Sequence, residues 1–424
     1  MGTLLAGVSV TDITPPLGVE LSGYGYYLER RCDGVRDPLY SKALVVDDGK
    51  ERVAIVANDL IGLDQETVRT IRKQVEEETG IPPDHVLLAC SHTHSGPATI
   101  YLRGCGEVDA EYVRMLTRKM AGGVVDACGK MERVSISIGR GREEKMSFNR
   151  MVQRGTVDPE VGLLRIDRTQ GPPMAFVANF SAHAVTFRGD NTKVSRDYPG
   201  ATADVIERVF LGSSLLFLQG SCGDVNPSNA FIGRPDQAGM ILAGALLKIT
   251  ASIRKMEEPC LSAGSRMIRL PLVIPEEETV RRELDENRVK LKQGGLSLTE
   301  ERQSRFLAEA AESTLRRMAD HPEEYLETEI QAIRIGEALL MVHPSELFTT
   351  FGLQIKEGSP AQDTFVVGYA NDFVGYIPDE GDFDRRGYAA DRVPKICDNF
   401  PFTRNVGDVL VAESLKLAKE VMGS

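Results

Sequence analysis

The chain has no tryptophan and only six histidines among 424 residues, so the placement of each histidine carries information. It has no run approaching the ~18 to 20 apolar residues that a membrane-spanning helix needs. Its N-terminus, MGTLLAGVSVTDITPP, has neither the basic start nor the long apolar core of an export signal. A basic excess is also missing: 50 Lys and Arg stand against 62 Asp and Glu, a formal charge of −12. That balance argues against nucleic-acid binding, which needs a cationic face, and favours solubility. Seven cysteines (Cys32, Cys90, Cys105, Cys128, Cys222, Cys260, Cys397) are odd in number and form no CxxC pair, as expected of reduced thiols in a cytoplasmic protein. Internal repeats, low-complexity tracts and linkers rich in Pro, Gly and Ser are absent too. What is present, 42% hydrophobic and 26% charged residues, is the composition of a globular, enzyme-like chain.

Along the chain, strand and helix patterns alternate. Residues 42 to 61, KALVVDDGKERVAIVANDLI, read as two strands around the turn DDGK. QETVRTIRKQVEEETG follows as an amphipathic helix stopped at Gly80 before two prolines. HVLLAC is then a short apolar strand that delivers the motif SHTHSGP to its carboxyl end. PPMAFVANFSAH reads as a strand ending on His183, SLLFLQGSCGDVNP as a strand running into a glycine-rich loop, and IGEALLMVHPSELF as a strand ending on Glu346. Between about 276 and 320 the texture changes to two charged helices, the second opened by a capping box from Ser297 to Glu300. The expected fold is α/β, with mixed β-sheets flanked by helices in one domain over residues 1–424. A helical hairpin is inserted, either as a solvated projection or as a lid.

The densest chemistry lies in SHTHSGP. In an extended segment residues two apart share a face, so His92 and His94 can look into one cavity, as metal and proton-transfer sites require. A hydrolytic zinc site takes three or four His or carboxylate ligands and keeps one position open for water. His92, His183 and Glu346, each at the end of an apolar strand, supply such a set. Their wide separation in sequence leaves structural histidines that satisfy loop carbonyls as an equal alternative. His343 reads as a locally bonded residue, and His85 and His321 as surface residues. A serine or cysteine nucleophile at Ser221 or Cys222 in QGSCGD would depart from the G-x-S-x-G elbow.

Taken in order, GVSVTDITPPLGVELSGYG, DPLYSKALVV, SHTHSGPA, MSFNRM, NFSAHAV, QGSCGDVNP, HPSELF and GYIPDEGDFDRRGY resemble the catalytic region of the neutral and alkaline non-lysosomal ceramidases. The resemblance runs from about residue 6 to residue 405. It implies hydrolysis of an amide by one zinc ion held by two histidines, a glutamate and a tyrosine. Matched motif by motif, these are His92, His183, Glu346 and Tyr376. His94 matches the proton-handling residue, and Arg150 and Tyr388 match the substrate-orienting pair. Without the family, Tyr376 and Tyr388 would read as part-buried aromatics and Arg150 as half of an ion pair.

Two departures shape the expected substrate. Where the family carries serine in G-D-x-S-P, this chain reads GDVNP, with Asn226 in that place. The C-terminal sandwich domain of typical ceramidases is not expected beyond the closing helix DVLVAESLKLAKEV. Both point to a small, soluble, possibly N-acylated substrate, with Asn226, Arg385 and Arg386 near it. A true ceramidase acting on N-acylsphingosine and a catalytically silent metal-bearing binding protein are the alternatives.

Overall fold

In a computed structural model, residues 4–257, 259–320 and 322–423 are described. His321 lies outside them. The first sheet has nine strands. In chain order its main strands are β1 (Leu5–Asp12), β2 (Tyr40–Asp47), β3 (Arg52–Asn58), β4 (Val86–Cys90), β5 (Glu132–Arg142), β6 (Glu160–Arg168), β7 (Pro173–Phe180) and β8 (Ser214–Gln219). Their spatial order is β8-β7-β6-β5-β1-β2-β3-β4. The pairs β3–β4 and β7–β8 are parallel, and the other pairs in this path are antiparallel. A four-stranded sheet follows in the chain: β9 (Leu261–Pro271), β10 (Tyr325–Ile335), β11 (Ala338–Val342) and β12 (Asp363–Val367), with only β11–β12 parallel.

The two sheets face one another. One buried cluster joins Leu44, Ile55, Leu87 and Val177 of the first to Ile333, Leu340, Phe365 and Val367 of the second. Strands such as ALLMV and DTFVV are buried along their whole length because a layer covers each face. On the outer face of the first sheet lie α1 (Gln65–Thr79), α2 (Ala110–Gly129), α3 (Asp197–Val209) and α4 (Pro235–Thr250). The charged segment forms two helices, α5 (Glu277–Gln293) and α6 (Leu298–Asp320), and the second sheet is covered by α7 (Thr349–Gly358) and α8 (Val406–Gly423). The fold is therefore α/β with mixed sheets and flanking helices, in four layers.

Local signals act where the sequence puts them. Asp64 caps α1 by accepting from Thr67 N at 2.7 Å, and Gly80 closes it with φ 71°. Ser297 and Glu300 form the reciprocal capping box of α6, with Ser297 N donating to Glu300 Oε2 at 2.8 Å and Glu300 N donating to Ser297 Oγ at 3.4 Å. His85 corrects the surface expectation: the short 3-10 turn Pro83–His85 tucks it inward, 8% exposed, with Nδ1 3.0 Å from the Arg52 carbonyl.

Candidate metal centre and its apolar pocket

Three strand ends and one loop converge on a single point. His92 follows β4, but the segment is not extended: His92 has φ 60°, the left-handed region, which costs about 1 kcal/mol or more for a non-glycine residue. Its backbone N–H donates to Leu60 O at 2.9 Å, and its ring Nδ1–H donates to Ile61 O at 2.7 Å. The turn, and not strand alternation, brings the His92 and His94 rings together, with centroids 4.8 Å apart. His183 lies three residues beyond β7, fully buried, and its Nδ1–H donates to Val225 O at 3.0 Å. Glu346 is likewise beyond its expected strand. It opens a two-residue strand, Glu346–Leu347, that pairs in parallel with Tyr376–Ile377, so that Glu346 sits in register with Tyr376.

Both Nδ1 bonds leave the Nε2 lone pairs of His92 and His183 aimed inward. Glu346 Oε2 lies 3.2 Å from His92 Nε2 and 2.9 Å from His183 Nε2. The Tyr376 hydroxyl is 3.2 Å from His183 Nε2, and His94 Nε2 is 3.2 Å from His92 Nε2. His92, His94 and His183 together form a group able to hold a metal ion, their ligand atoms within 4.8 Å of one another. The site is rich in acceptors and poor in donors, and a cation satisfies that imbalance.

Electrostatics agree with the donor set. Burial, reinforced by the nearby Arg150 guanidinium, lowers the His183 pKa to about 4, which keeps the ring neutral as a ligand must be. Burial, with His92 and His183 alongside, holds His94 well below its ordinary value. Burial pushes the Glu346 carboxyl up, but His92 and His183 more than reverse that and hold it well below the usual carboxylate range. Arg150 donates to Gly223 O at 2.8 Å and to the Tyr376 hydroxyl at 2.5 Å. Its contact is therefore with Tyr376, whereas Tyr388 packs edge-on to the Tyr376 ring at 5.9 Å and remains 45% exposed.

A pocket opens beside this group, lined by His92, His94, Glu346, Tyr376 and Tyr388 and by apolar side chains including Ile61, Leu102, Phe373 and Ile396. Gly23 also lines it, where any Cβ would overlap the His94 ring. Three expected substrate contacts lie elsewhere. Asn226 sits in the short strand Val225–Pro227 opposite Phe148, half-buried, with its Oδ1 lacking a partner. Arg385 and Arg386 are exposed, and Arg385 pairs with Asp382 at 3.3 Å.

Neighbours that sequence reading missed hold the group in place. Tyr369, fully buried, stacks on His92 at 4.2 Å, and its hydroxyl lies 3.1 Å from Cys222 Sγ and 3.5 Å from Glu346 Oε2. Asp224 accepts from Asn149 Nδ2 at 2.7 Å and from Thr349 N and Oγ1 at 2.8 Å, and its carbonyl accepts from Arg150 N at 2.8 Å. The visible signal for Tyr369 was GYAND after the apolar strand DTFVV, the same strand-then-polar grammar as the other site loops. Cys222 is fully buried, and burial pushes its thiol up, the opposite of an activated nucleophile. His343 is also buried, with Nδ1 3.0 Å from Ser345 Oγ.

The neutral/alkaline non-lysosomal ceramidase N-terminal family profile matches residues 4–233, more than half of the chain. Neutral ceramidase A of Dictyostelium discoideum is 24% identical over 254 residues, 52% of this chain and 35% of that protein, so the chain matches about a third of the relative's length. The crystal structure of neutral ceramidase from Pseudomonas aeruginosa superposes with a TM-score of 0.77 at 18% identity, covering 99% of this chain and 74% of that one. A ceramidase complexed with C2 gives 0.75 at 16% identity, covering 100% of this chain and 76% of the other. By its N-terminal sequence and by its fold, the chain belongs to the neutral/alkaline non-lysosomal ceramidase family of hydrolases.

Proposed function

We propose that the protein is a zinc-dependent amidohydrolase that binds one Zn²⁺ through His92, His183, Glu346 and Tyr376. Its reaction is cleavage of an amide, or a related ester or lactone, in a small soluble N-acylated compound. One observation carries the reading: His92 Nε2 and His183 Nε2 converge on Glu346 Oε2, at 3.2 and 2.9 Å, with both histidine Nδ1 atoms committed to backbone carbonyls. Neutral imidazoles and a carboxylate are the donors zinc prefers. When bound, zinc lowers the pKa of a coordinated water to about 7 and polarises the scissile carbonyl.

The remaining roles follow from position. Burial holds the Tyr376 hydroxyl well above its ordinary value, and Arg150, 2.5 Å from it, orients the phenol and opposes that rise. Tyr388 reaches the pocket beside Tyr376 and donates to the oxyanion that develops on the substrate carbonyl. His94, with its Nε2 3.2 Å from His92 Nε2, takes the proton released by the attacking water and passes it to the departing nitrogen. The 3.2 Å between His94 Nε2 and His92 Nε2 favours a second arrangement, in which His94 joins the ligand set.

A small substrate is supported by the pocket, a cavity of only ≈ 40 Å³. No described helix is long and apolar enough to cross a membrane. A net charge of −12 would also be repelled by an anionic leaflet. All seven cysteines are free thiols, in keeping with a reducing, cytoplasmic setting. The test is metal analysis of the purified protein, followed by turnover of a panel of amides and esters before chelation, after chelation and after zinc return. One zinc per chain and hydrolysis that disappears and returns with it are expected. Hydrolysis indifferent to zinc would overturn the reading, and clear preference for a long-chain ceramide in detergent would overturn its substrate part.

A further inference from the structure

The apolar lining of the pocket comes from the Ile61 loop, the stretch after the SHTHSGP motif and the segment around Ile396. Ile61, Leu102, Cys105 and Ile396 line it, and the same four belong to a buried cluster completed by Phe306 and Leu307 of α6. Phe306 is fully buried and stacks on Tyr26 with centroids 3.7 Å apart and planes 11° from parallel. The hairpin is also tied by polar contacts to Tyr27 and to the segment that carries Ile396. Tyr27 OH donates to Glu309 Oε2 at 2.5 Å, Ser313 Oγ donates to Asp398 Oδ2 at 3.0 Å, and Lys395 Nζ donates to Glu283 Oε1 of α5 at 2.9 Å. Phe306, Ala310, Ser313 and Arg317 fall at helical spacing on one face. That face is turned to the site, while the charged pattern of α5 and α6 covers the outside.

We propose that the α5–α6 hairpin sets the length of the acyl group the site accepts: Phe306, acting through Leu102, Cys105 and Ile396, closes the far side of the pocket and restricts it to short chains. The proposal rests on the zinc amidohydrolase reading. The cavity beside the metal-facing residues is small, ≈ 40 Å³. Longer chains require the wall to move, and Phe306, packed in one cluster with that wall and stacked on Tyr26, opposes the movement. Phe306 does not line the pocket, so it is a positioning residue. Ile396 and Leu102 touch the acyl chain.

The experiment measures affinities of straight-chain acyl hydroxamates, from two to eight carbons, for the zinc-loaded full-length protein. These probes chelate zinc, and each is shown to be recovered intact after the measurement, so chain-length preference is read apart from turnover. Zinc content is measured on the same samples. Affinity should fall at least tenfold beyond about four carbons. Ile396→Ala, and Phe306→Ala or the milder Phe306→Leu where the larger truncation impairs folding, should improve binding of the eight-carbon probe relative to the two-carbon probe by tenfold or more at unchanged zinc content. Val289→Ala, on the exposed side of α5, should change nothing. A flat or long-chain preference in the unaltered protein would overturn the proposal, as would folded, zinc-loaded Ile396→Ala and Phe306→Leu proteins that keep the original preference. A protein that holds no zinc would overturn the underlying reading as well.

Discussion

Two buried polar clusters lie near the carboxyl ends of β3 and β4, and they are built on opposite principles. In the first, around His92, His183 and Glu346, acceptors face acceptors. In the second, around Lys42, Asp59 and Arg196, each charge has opposite charges or donors around it. Lys42 donates to Glu207 at 2.5 Å and to the Leu215 carbonyl at 3.1 Å. Arg196 donates to Asp204 at 3.0 Å, and its backbone N–H to Asp37 at 2.6 Å. Asp59 accepts from Tyr40 N at 2.9 Å and lines a small cavity with Lys42 and Arg196. Burial alone therefore does not mark a functional site. A shortage of donors does, because a buried group left unpaired costs free energy that a bound cation removes.

The contrast is sharpest for substitutions that remove a ligand. His183→Ala should abolish zinc binding and turnover together, since an incomplete shell retains neither; elemental analysis finding full zinc in that protein would break the assignment. His94→Ala should lower turnover by a factor on the order of 10² to 10⁴ with zinc retained. Loss of zinc in His94→Ala would instead place the three-histidine arrangement in the site.

In the balanced cluster the same kind of change should act on stability alone. Lys42→Met leaves Glu207 without its cation and should cost roughly 3 kcal/mol in denaturant unfolding, with zinc content unaltered. Tyr369→Phe tests the support of the metal-facing group. Removal of the hydroxyl beside Glu346 and Cys222 should weaken zinc affinity about tenfold, the lower end for partners behind a ligand, as read by competition with a chromophoric chelator. Equal zinc affinity in Tyr369→Phe would reduce Tyr369 to packing.

The smallest expected effect is a pH dependence. Burial raises the Asp59 pKa to about 6, with Arg196 and Lys42 opposing it. The native state then holds this proton more tightly than the unfolded chain. The contribution to stability is present below the ordinary value of 3.8 and is lost as pH rises through about 6. Asp59→Asn should therefore gain on the order of 1 kcal/mol relative to the unaltered protein on going from pH 4 to pH 7.5. A loss over the same interval, in thermal unfolding at the two pH values, would mean that the carboxylate stays ionised and paired as in an ordinary salt bridge.

How much of this was legible in the sequence depended on whether the signal was local. Asp64, Gly80 and the Ser297–Glu300 box act within one helical turn, and the helices begin or end where those residues stand. The strand that delivers His92 was visible because its apolar run and its polar motif are adjacent. The strands before His183 and Glu346 were read too long, because the polar residues that follow each run leave the sheet to make the site. Tyr376 came only from family resemblance: no local pattern reports a two-residue ladder to Glu346. Tyr369 was missed because a tyrosine after a strand reads as packing until its hydroxyl is seen beside a carboxylate.

By itself the sequence determined the class of the protein: alternating apolar strands and amphipathic helices, scarce histidines at strand ends, a charged hairpin and an ordered series of motifs. These properties are written in composition and short-range spacing, where side-chain periodicity and capping act. Only the tertiary structure decided that His92 turns through a left-handed conformation, that Arg150 reaches Tyr376, and that α6 backs the pocket with Phe306. Those relations join residues far apart in the chain, and no short-range physics in either segment specifies the other.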